Sequence, residues 1–209
     1  KKAAILNLDT LNNKQAIISK YEGIFDQLKQ DNKQIPSLKR RISDMKVLIT
    51  GTTQGIGKSI AELFLKKGHN VIGIDRLEKS INHPNYIHYV CDIRDYDKLP
   101  NIEDVNILIN NAGTQNEADI DINLKALIHV TEKYGVQKEI KSILNIGSAS
   151  AHTGSEFPEY CASKGGVISY TKNVALRVAS FNATCNSLDP GGVLTELNNC
   201  VINNPILWE

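Results

Sequence analysis

The segment Gly51-Thr52-Thr53-Gln54-Gly55-Ile56-Gly57 limits the possible folds more than any other stretch of this chain. A short apolar run, residues 47–50, leads into it. Behind it Ile60, Ala61, Leu63, Phe64 and Leu65 recur at helical spacing over residues 59–67, closed by Gly68. A strand that turns through glycines directly into a helix is the opening of a βαβ unit. Gly51 permits the tight turn, Gly55 lets backbone approach a ligand, and Gly57 lets the helix pack close to the strand. The free N–H groups and positive end of such a helix suit the phosphates of a dinucleotide. Glycine turns also serve as plain connectors, so the weight of this one rests on its strand–turn–helix setting.

The alternation continues. Apolar strands are expected at residues 71–74, 86–90, 105–109, 142–146 and 184–188. Helical patterns are expected over residues 117–134 and 159–180. Asp189-Pro190-Gly191-Gly192 breaks the last strand. Strands in alternation with helices predict an α/β fold: a Rossmann-like, doubly wound parallel sheet with helices on both faces. Nearly unbroken apolar strands agree, because both faces of such a sheet are covered.

Residues 1–44 differ in composition, being rich in Lys, Asn, Gln and Asp. Ile18, Tyr21, Phe25 and Leu28 recur there at helical spacing, and Pro36 stops or bends what precedes it. This predicts an N-terminal helical extension, packed on the main domain or a neighbouring subunit, with a partner-binding helix as the sharper alternative. Met45 then runs straight into a strand, so residues 45–209 read as the functional domain. The 209 residues carry a formal net charge of +1, which gives no electrostatic reason to expect nucleic acid or an anionic membrane as partner. No apolar run approaches the roughly 20 residues that span a bilayer. The N-terminus turns polar too soon for a secretory signal. Cys91, Cys161, Cys185 and Cys200 show neither a Cys-x-x-Cys pair nor metal-ligand spacing with the five histidines. The expectation is a cytoplasmic protein with reduced, mostly buried thiols and no metal.

Two features refine the chemistry. Asp75 closes the second strand, 18 residues after Gly57. A carboxylate there accepts hydrogen bonds from both adenosine-ribose hydroxyls and repels a 2′-phosphate, which favours NAD over NADP. Arg76 pulls toward NADP, since guanidinium pairs well with phosphate. Further on, Tyr160 and Lys164 are four residues apart and share one helix face. A phenol titrates near pH 10, too high for ready proton exchange at neutral pH, and a neighbouring ammonium lowers that value. Ser148 ends the preceding strand, where its hydroxyl can hold a carbonyl oxygen beside the phenol. On an ordinary surface helix the Tyr–Lys pair would be a packed ring beside a solvated amine. Its position in a dinucleotide fold gives it weight.

At this point the sequence resembles the short-chain dehydrogenase/reductase family over residues 46 to about 195. The motifs are Thr50-Gly51-x-x-x-Gly55-Ile56-Gly57, Cys91-Asp92-Ile93, Asn110-Asn111-Ala112-Gly113, Asn123, Ser148, Tyr160-x-x-x-Lys164 and Asn186-x-x-x-Pro190-Gly191. The resemblance implies hydride transfer between a nicotinamide cofactor, NAD or NADP, and a small-molecule carbonyl or secondary alcohol. Tyr160 is implied as general acid/base, with Ser148 positioning the carbonyl. Lys164 is implied to hold the nicotinamide ribose and depress the phenol's pKa, and Asn123 to hold a water that links Lys164 to solvent. Gln54 and Ile56 are implied at the phosphates, Asp92 and Ile93 at the adenine, and Asn111, Ala112 and Gly113 along the cofactor. Pro190, Gly191, Val193 and Thr195 are implied at its nicotinamide half. A homodimer or homotetramer is the implied assembly. His152, Glu156 and Phe157 are expected at the substrate.

This sequence departs from the family's pattern in four places. Asn111–Gly113 lies only about ten residues before Asn123. Ser148 precedes Tyr160 by 12 residues, one fewer than the commonest spacing, with Ser150 the fallback. Residues 1–44 have no counterpart. The chain as given ends at Glu209, so the domain is expected to lack the family's C-terminal strand and part of its substrate loop. Two other classes compete. A sugar-nucleotide epimerase or dehydratase shares the Tyr–Lys pair but sits poorly with the glycine spacing. A non-enzymatic cofactor-binding scaffold has no need of Ser148, Tyr160 and Lys164 together.

Overall fold

Aliphatic residues on both faces make these strands, and the structure shows where each face goes. The computed structural model describes residues 45–115, 117–193 and 195, together with the backbone of Leu6–Asn7. Its elements run β1 (Leu6–Asn7), β2 (Lys46–Thr50), α1 (Gly55–Lys66), β3 (Asn70–Asp75), β4 (Tyr86–Val90) and β5 (Ile107–Asn110). A π-helical turn, Ile120–Ala126, continues into α2 (Leu127–Tyr134). Then come β6 (Ser142–Ile146), α3 (Ser150–Thr153), α4 (Pro158–Val178) and β7 (Thr184–Asp189). All pairings are parallel, in the order β1-β7-β6-β5-β2-β3-β4.

Alternate residues of one strand feed two cores. Val47 and Ile49 of β2 pack with Ile60, Ala61, Phe64 and Leu65 of α1 on one face. Leu48, with Leu108 of β5, packs with Val130 and Tyr134 of α2 and Val174 and Val178 of α4 on the other. The sheet is therefore doubly wound, as expected. The order in which successive strands are added reverses between β2 and β5, which are parallel hydrogen-bonded neighbours. In such sheets the crevice outside the strands' C-terminal ends at that switch point is where ligands bind.

The differences from the sequence reading are local. Helix α1 starts at Gly55 rather than Ser59, so two glycines of the motif lie inside its first turn. β5 starts two residues late, because Asp104 takes a left-handed conformation (φ 54°) that ends extended pairing before it. The segment expected as one helix begins as a wide π-turn. Helix α3 was not expected; it is four residues long and stops at left-handed Gly154. Of the three described cysteines only Cys185 is buried, Cys91 and Cys161 being half-buried. The expected helix around Tyr21 lies outside the described residues, as does everything after Thr195. The backbone of Leu6–Asn7 pairs with Leu188 and Asp189. This short pairing lies at the β7 edge of the sheet.

Leu108 is fully buried between the sheet and helices α2 and α4. Leu108→Ala should lower unfolding free energy by about 2–5 kcal/mol, read from a urea titration.

Candidate active site

The glycine turn is held from three sides. Gly51 N–H donates to Ile74 O at 2.8 Å, which ties the turn to the end of β3. Asp75 accepts Thr53 N–H on Oδ2 at 2.9 Å and Leu77 N–H on Oδ1 at 3.0 Å, so its carboxylate is aimed before any ligand arrives. Asn111, just past β5, donates from Nδ2 to Thr50 O at 3.0 Å and Gly51 O at 2.9 Å. The Thr50 hydroxyl accepts from both Asn111 N and Ala112 N at 3.0 Å. These bonds fasten the two strands on either side of the switch point.

Gly51 (φ +73°) and Gly55 (φ +57°) are both left-handed, a conformation glycine adopts without steric cost. A Cβ on Gly51 would stand 2.8 Å from Asn111 Nδ2, and one on Gly57 would overlap Gly51 O. Gln54, the N-cap of α1, makes no side-chain cap, which leaves first-turn N–H groups open. The backbone cradle, the uncapped helix end and the aimed Asp75 carboxylate fit a dinucleotide. Gly57 is the one motif glycine behind the cleft wall, where it serves helix packing.

A cleft of about 440 Å³ runs from this turn across the sheet's C-terminal edge. Gly51, Gln54, Gly55 and Ile56 line it at the turn. Asp75, Arg76, Asp92 and Ile93 line it along one flank. Asn111, Ala112 and Gly113 form its floor, and Pro190, Gly191, Val193 and Thr195 the far side, around Ser148, Tyr160 and Lys164. Most of the residues expected from the sequence thus lie on one wall. Asp92 is engaged by Arg94 (Nη2–Oδ2, 2.7 Å), which holds its carboxyl below the usual carboxylate range. Leu77, Thr114, Gln115, Thr153 and Ser155 also line the cleft and were not expected. They lie in loops or, for Thr153, in the four-residue α3, where no periodicity marks them. Of the three residues expected at the substrate, Glu156 lines the cleft. His152 and Phe157 do not: His152 turns to Asp189 at 3.0 Å, and Phe157 is exposed.

The inner end of the cleft is built on β6 and α4. Lys164 is buried and donates from Nζ to Ile146 O at 2.8 Å, at the tip of β6. It lies 5.8 Å from the centre of the Tyr160 ring. Burial lowers the lysine's pKa to about 8, opposed by Asp189 and Asp119. The Tyr160 phenol is pushed up by burial, with the Ser148 hydroxyl, hydrogen-bonded to it, pulling down. The expectation that the ammonium lowers this phenol is therefore not met in the cofactor-free chain. Desolvation outweighs it, and the ammonium's nearest acceptor is a backbone carbonyl.

Between the two serines, Ser148 is the one near enough to pull on the phenol, and its hydroxyl accepts Ser150 N–H at 3.2 Å. Helix α3 and the left-handed Gly154 turn the chain back, and Pro158 starts α4 so that Tyr160 faces Ser148. Asn123 sits in the π-turn, fully buried and outside the cleft lining. Its Oδ1 accepts Thr114 N–H at 2.8 Å, and its Nδ2 donates to Thr114 O at 2.9 Å and Ser163 Oγ at 3.2 Å. Gly113 separates it from Lys164: a Cβ there would stand 3.0 Å from Asn123 Oδ1 and 3.6 Å from Lys164 Nζ. Below the site, Asn110 Nδ2 donates to Thr131 Oγ1 and Asn145 Oδ1, and Asn145 Nδ2 to Thr171 Oγ1. This buried ladder, also unexpected, ties α2 and α4 to the strands beneath the site.

Fold and cleft together define a parallel α/β protein with a dinucleotide cradle that opens onto a Ser–Tyr–Lys cluster. Comparison with known proteins narrows this class. The profile of the short chain dehydrogenase family matches residues 45–204. The 3-oxoacyl-(acyl-carrier-protein) reductase FabG of Buchnera aphidicola subsp. Acyrthosiphon pisum is 33% identical over 184 residues, 74% of this chain and 75% of the relative. The short chain dehydrogenase adrF of Penicillium roqueforti is 30% identical over 199 residues, 80% of this chain and 76% of that one. Among solved structures, Thermoplasma acidophilum aldohexose dehydrogenase superposes with a TM-score of 0.68 at 25% identity, covering 81% of this chain and 74% of that one. A 4-hydroxyisoleucine dehydrogenase complexed with NADH gives 0.67 at 27% identity, covering 78% and 79%. The chain belongs to the short-chain dehydrogenase family and is an oxidoreductase of the nicotinamide-dependent kind. No helix among the described residues is long and apolar enough to cross a membrane.

Asn111→Ala should loosen the junction between the turn and β5. The expected result is a stability loss of about 1–3 kcal/mol in thermal unfolding, with NADH affinity lowered in a fluorescence titration.

Proposed function

We propose that this chain interconverts a carbonyl and a secondary alcohol, with Tyr160 as general acid/base. The observation that carries the reading is that Ser148, Tyr160 and Lys164 line one cleft, with Lys164 buried, pinned to Ile146 O and 5.8 Å from the centre of the Tyr160 ring. The bound nicotinamide supplies or accepts the hydride. In reduction, Ser148 holds the carbonyl oxygen and Tyr160 donates the proton as negative charge grows on that oxygen. Lys164, kept charged, favours the phenolate that remains and reaches the ribose side of the cleft. In oxidation the phenolate takes the alcohol proton back. Asn123 stands behind Gly113, where a water held at this turn would connect Lys164 outward.

NAD is the proposed cofactor. Asp75 is aimed at the ribose position by two backbone donors, and Gln54 rather than a basic residue precedes Gly55. For the substrate, the described wall beyond Tyr160 is polar. Thr114, Gln115, Ser150, Thr153, Ser155 and Glu156 line it, and Gln115 Nε2 donates to Glu156 Oε2 at 2.6 Å. That lining favours a compact hydroxylated substrate over a long acyl chain. A homodimer or homotetramer is the proposed assembly. Residues 1–44 are read as an added segment and residues 45–209 as the oxidoreductase domain.

The test is NADH oxidation with a β-keto amino acid and an acetoacetyl thioester, and NAD reduction with an aldose and the matching β-hydroxy amino acid. Tyr160→Phe should cut kcat by at least about 100-fold on whichever compound turns over; undiminished turnover sinks the mechanism. NADH binding without turnover on any compound would support the scaffold alternative. Wild-type protein should prefer NADH to NADPH, and Asp75→Ser should narrow that preference by about tenfold or more in kcat/KM.

A further inference from the structure

Asp189 is a buried carboxylate that the mechanism above does not use. It ends β7 immediately before Pro190 and is fully buried. Its Oδ2 accepts from His152 Nε2 at 3.0 Å and from the Ser187 hydroxyl at 3.3 Å. A carboxylate only accepts, so His152 carries its proton on Nε2. The other oxygen, Oδ1, has no hydrogen-bond partner among the described residues. It lies against Gly147, close enough that a Cβ there would overlap it. Gly147 stands between Ile146, whose carbonyl holds Lys164 Nζ, and Ser148. An open carboxylate oxygen, a buried ammonium and the serine hydroxyl thus gather at one strand end.

A buried carboxylate with an unused acceptor is costly, and so is a buried ammonium with one carbonyl partner. Placed together, each lowers the cost of the other. We propose that Asp189 is a positioning residue for Lys164: its carboxylate, aimed by His152 and Ser187, keeps the ammonium charged at the tip of β6. The assignment rests on the role given to Lys164 in the proposed function. The titratable groups around Lys164 are Asp189 from β7, Asp119 at the head of the π-turn and Tyr160 from its own helix. Those around Asp189 are His152 from α3 and Lys164 from α4. Burial alone drives the lysine toward its neutral form, and Asp189 is the larger of the two groups that resist. His152 is one-third exposed, with 34% of its side chain accessible. The carboxylate therefore connects the surface of α3 to the buried amine. No periodicity marks this residue, and in Asn186-x-x-x-Pro190-Gly191 it holds an unspecified position.

The test is a pH titration of cofactor-free protein labelled with 13C at lysine Cε. The Lys164 signal is assigned by its loss in Lys164→Ala. Wild-type midpoint is expected at about 8. Asp189→Asn removes the opposing charge, so the midpoint should fall by about one pH unit. His152→Leu removes the donor that shares the carboxylate's charge, so the midpoint should rise. Shifts in opposite directions are a signature that general loosening does not produce. A midpoint unmoved in both variants, or moved the same way, overturns the proposal. If Asp189→Asn does not fold, His152→Leu decides alone: a rise supports the proposal and no change overturns it. In the pH dependence of turnover, the high-pH limb of carbonyl reduction should shift as the midpoint does. Full turnover in Tyr160→Phe would remove the catalytic reading but leave the titration to stand or fall by itself.

Discussion

The junction of Thr50 with Asn111 is the constraint on which the rest of the site depends. Side-chain and backbone bonds from β5 meet the carbonyls and hydroxyl at the end of β2. Strands in a parallel sheet have no turn to fix their ends together, because each connection crosses over a face. At the switch point that leaves a gap, and here four hydrogen bonds close it. The phosphate turn is thereby set at a fixed distance from Ala112, Gly113 and the lysine behind them. Gly57 completes the arrangement: any side chain there would collide with Gly51 O and Asn111 Nδ2 and lift α1 off the junction.

Polar groups buried near the junction form a second layer of organisation. Asn110, Asn145, Thr131 and Thr171 satisfy one another across two strands and two helices. Such a network specifies one packing of α2 and α4, since slipping either helix would strand donors in an apolar interior. Lys164 projects from α4, so its place at Ile146 O follows from that packing. Tyr160 is carried on the same helix, and its phenol is raised by the burial that the packing imposes. Before cofactor binds, the site thus stores its proton on the phenol, with Ser148 in contact to receive an oxygen.

Much of this was legible in order along the chain. The glycine turn, the apolar strands and the Tyr160/Lys164 spacing each follow from local rules of period and backbone freedom. Those rules placed nearly every expected residue on one cleft. The exceptions are instructive. The amide of Asn123 is engaged by Thr114 and Ser163, contacts that no local spacing announces. His152 was expected at the substrate but is drawn to Asp189 by a buried charge more than thirty residues away. Helix α3 escaped notice because four residues are too few to show a period.

The sequence by itself determined the sheet, its two-faced burial, the cradle for a dinucleotide and the Ser–Tyr–Lys cluster that opens on it. These depend on spacings of a few residues, which local sterics and hydrophobic period set directly. Only the tertiary structure decided which serine stands by the phenol, that the lysine is pinned to a strand carbonyl, and that one Asp189 oxygen is left without a hydrogen bond among the described residues. Those facts depend on contacts between β6, α4 and β7. Their side chains are distant in sequence, and their charges matter only after folding has removed the water between them.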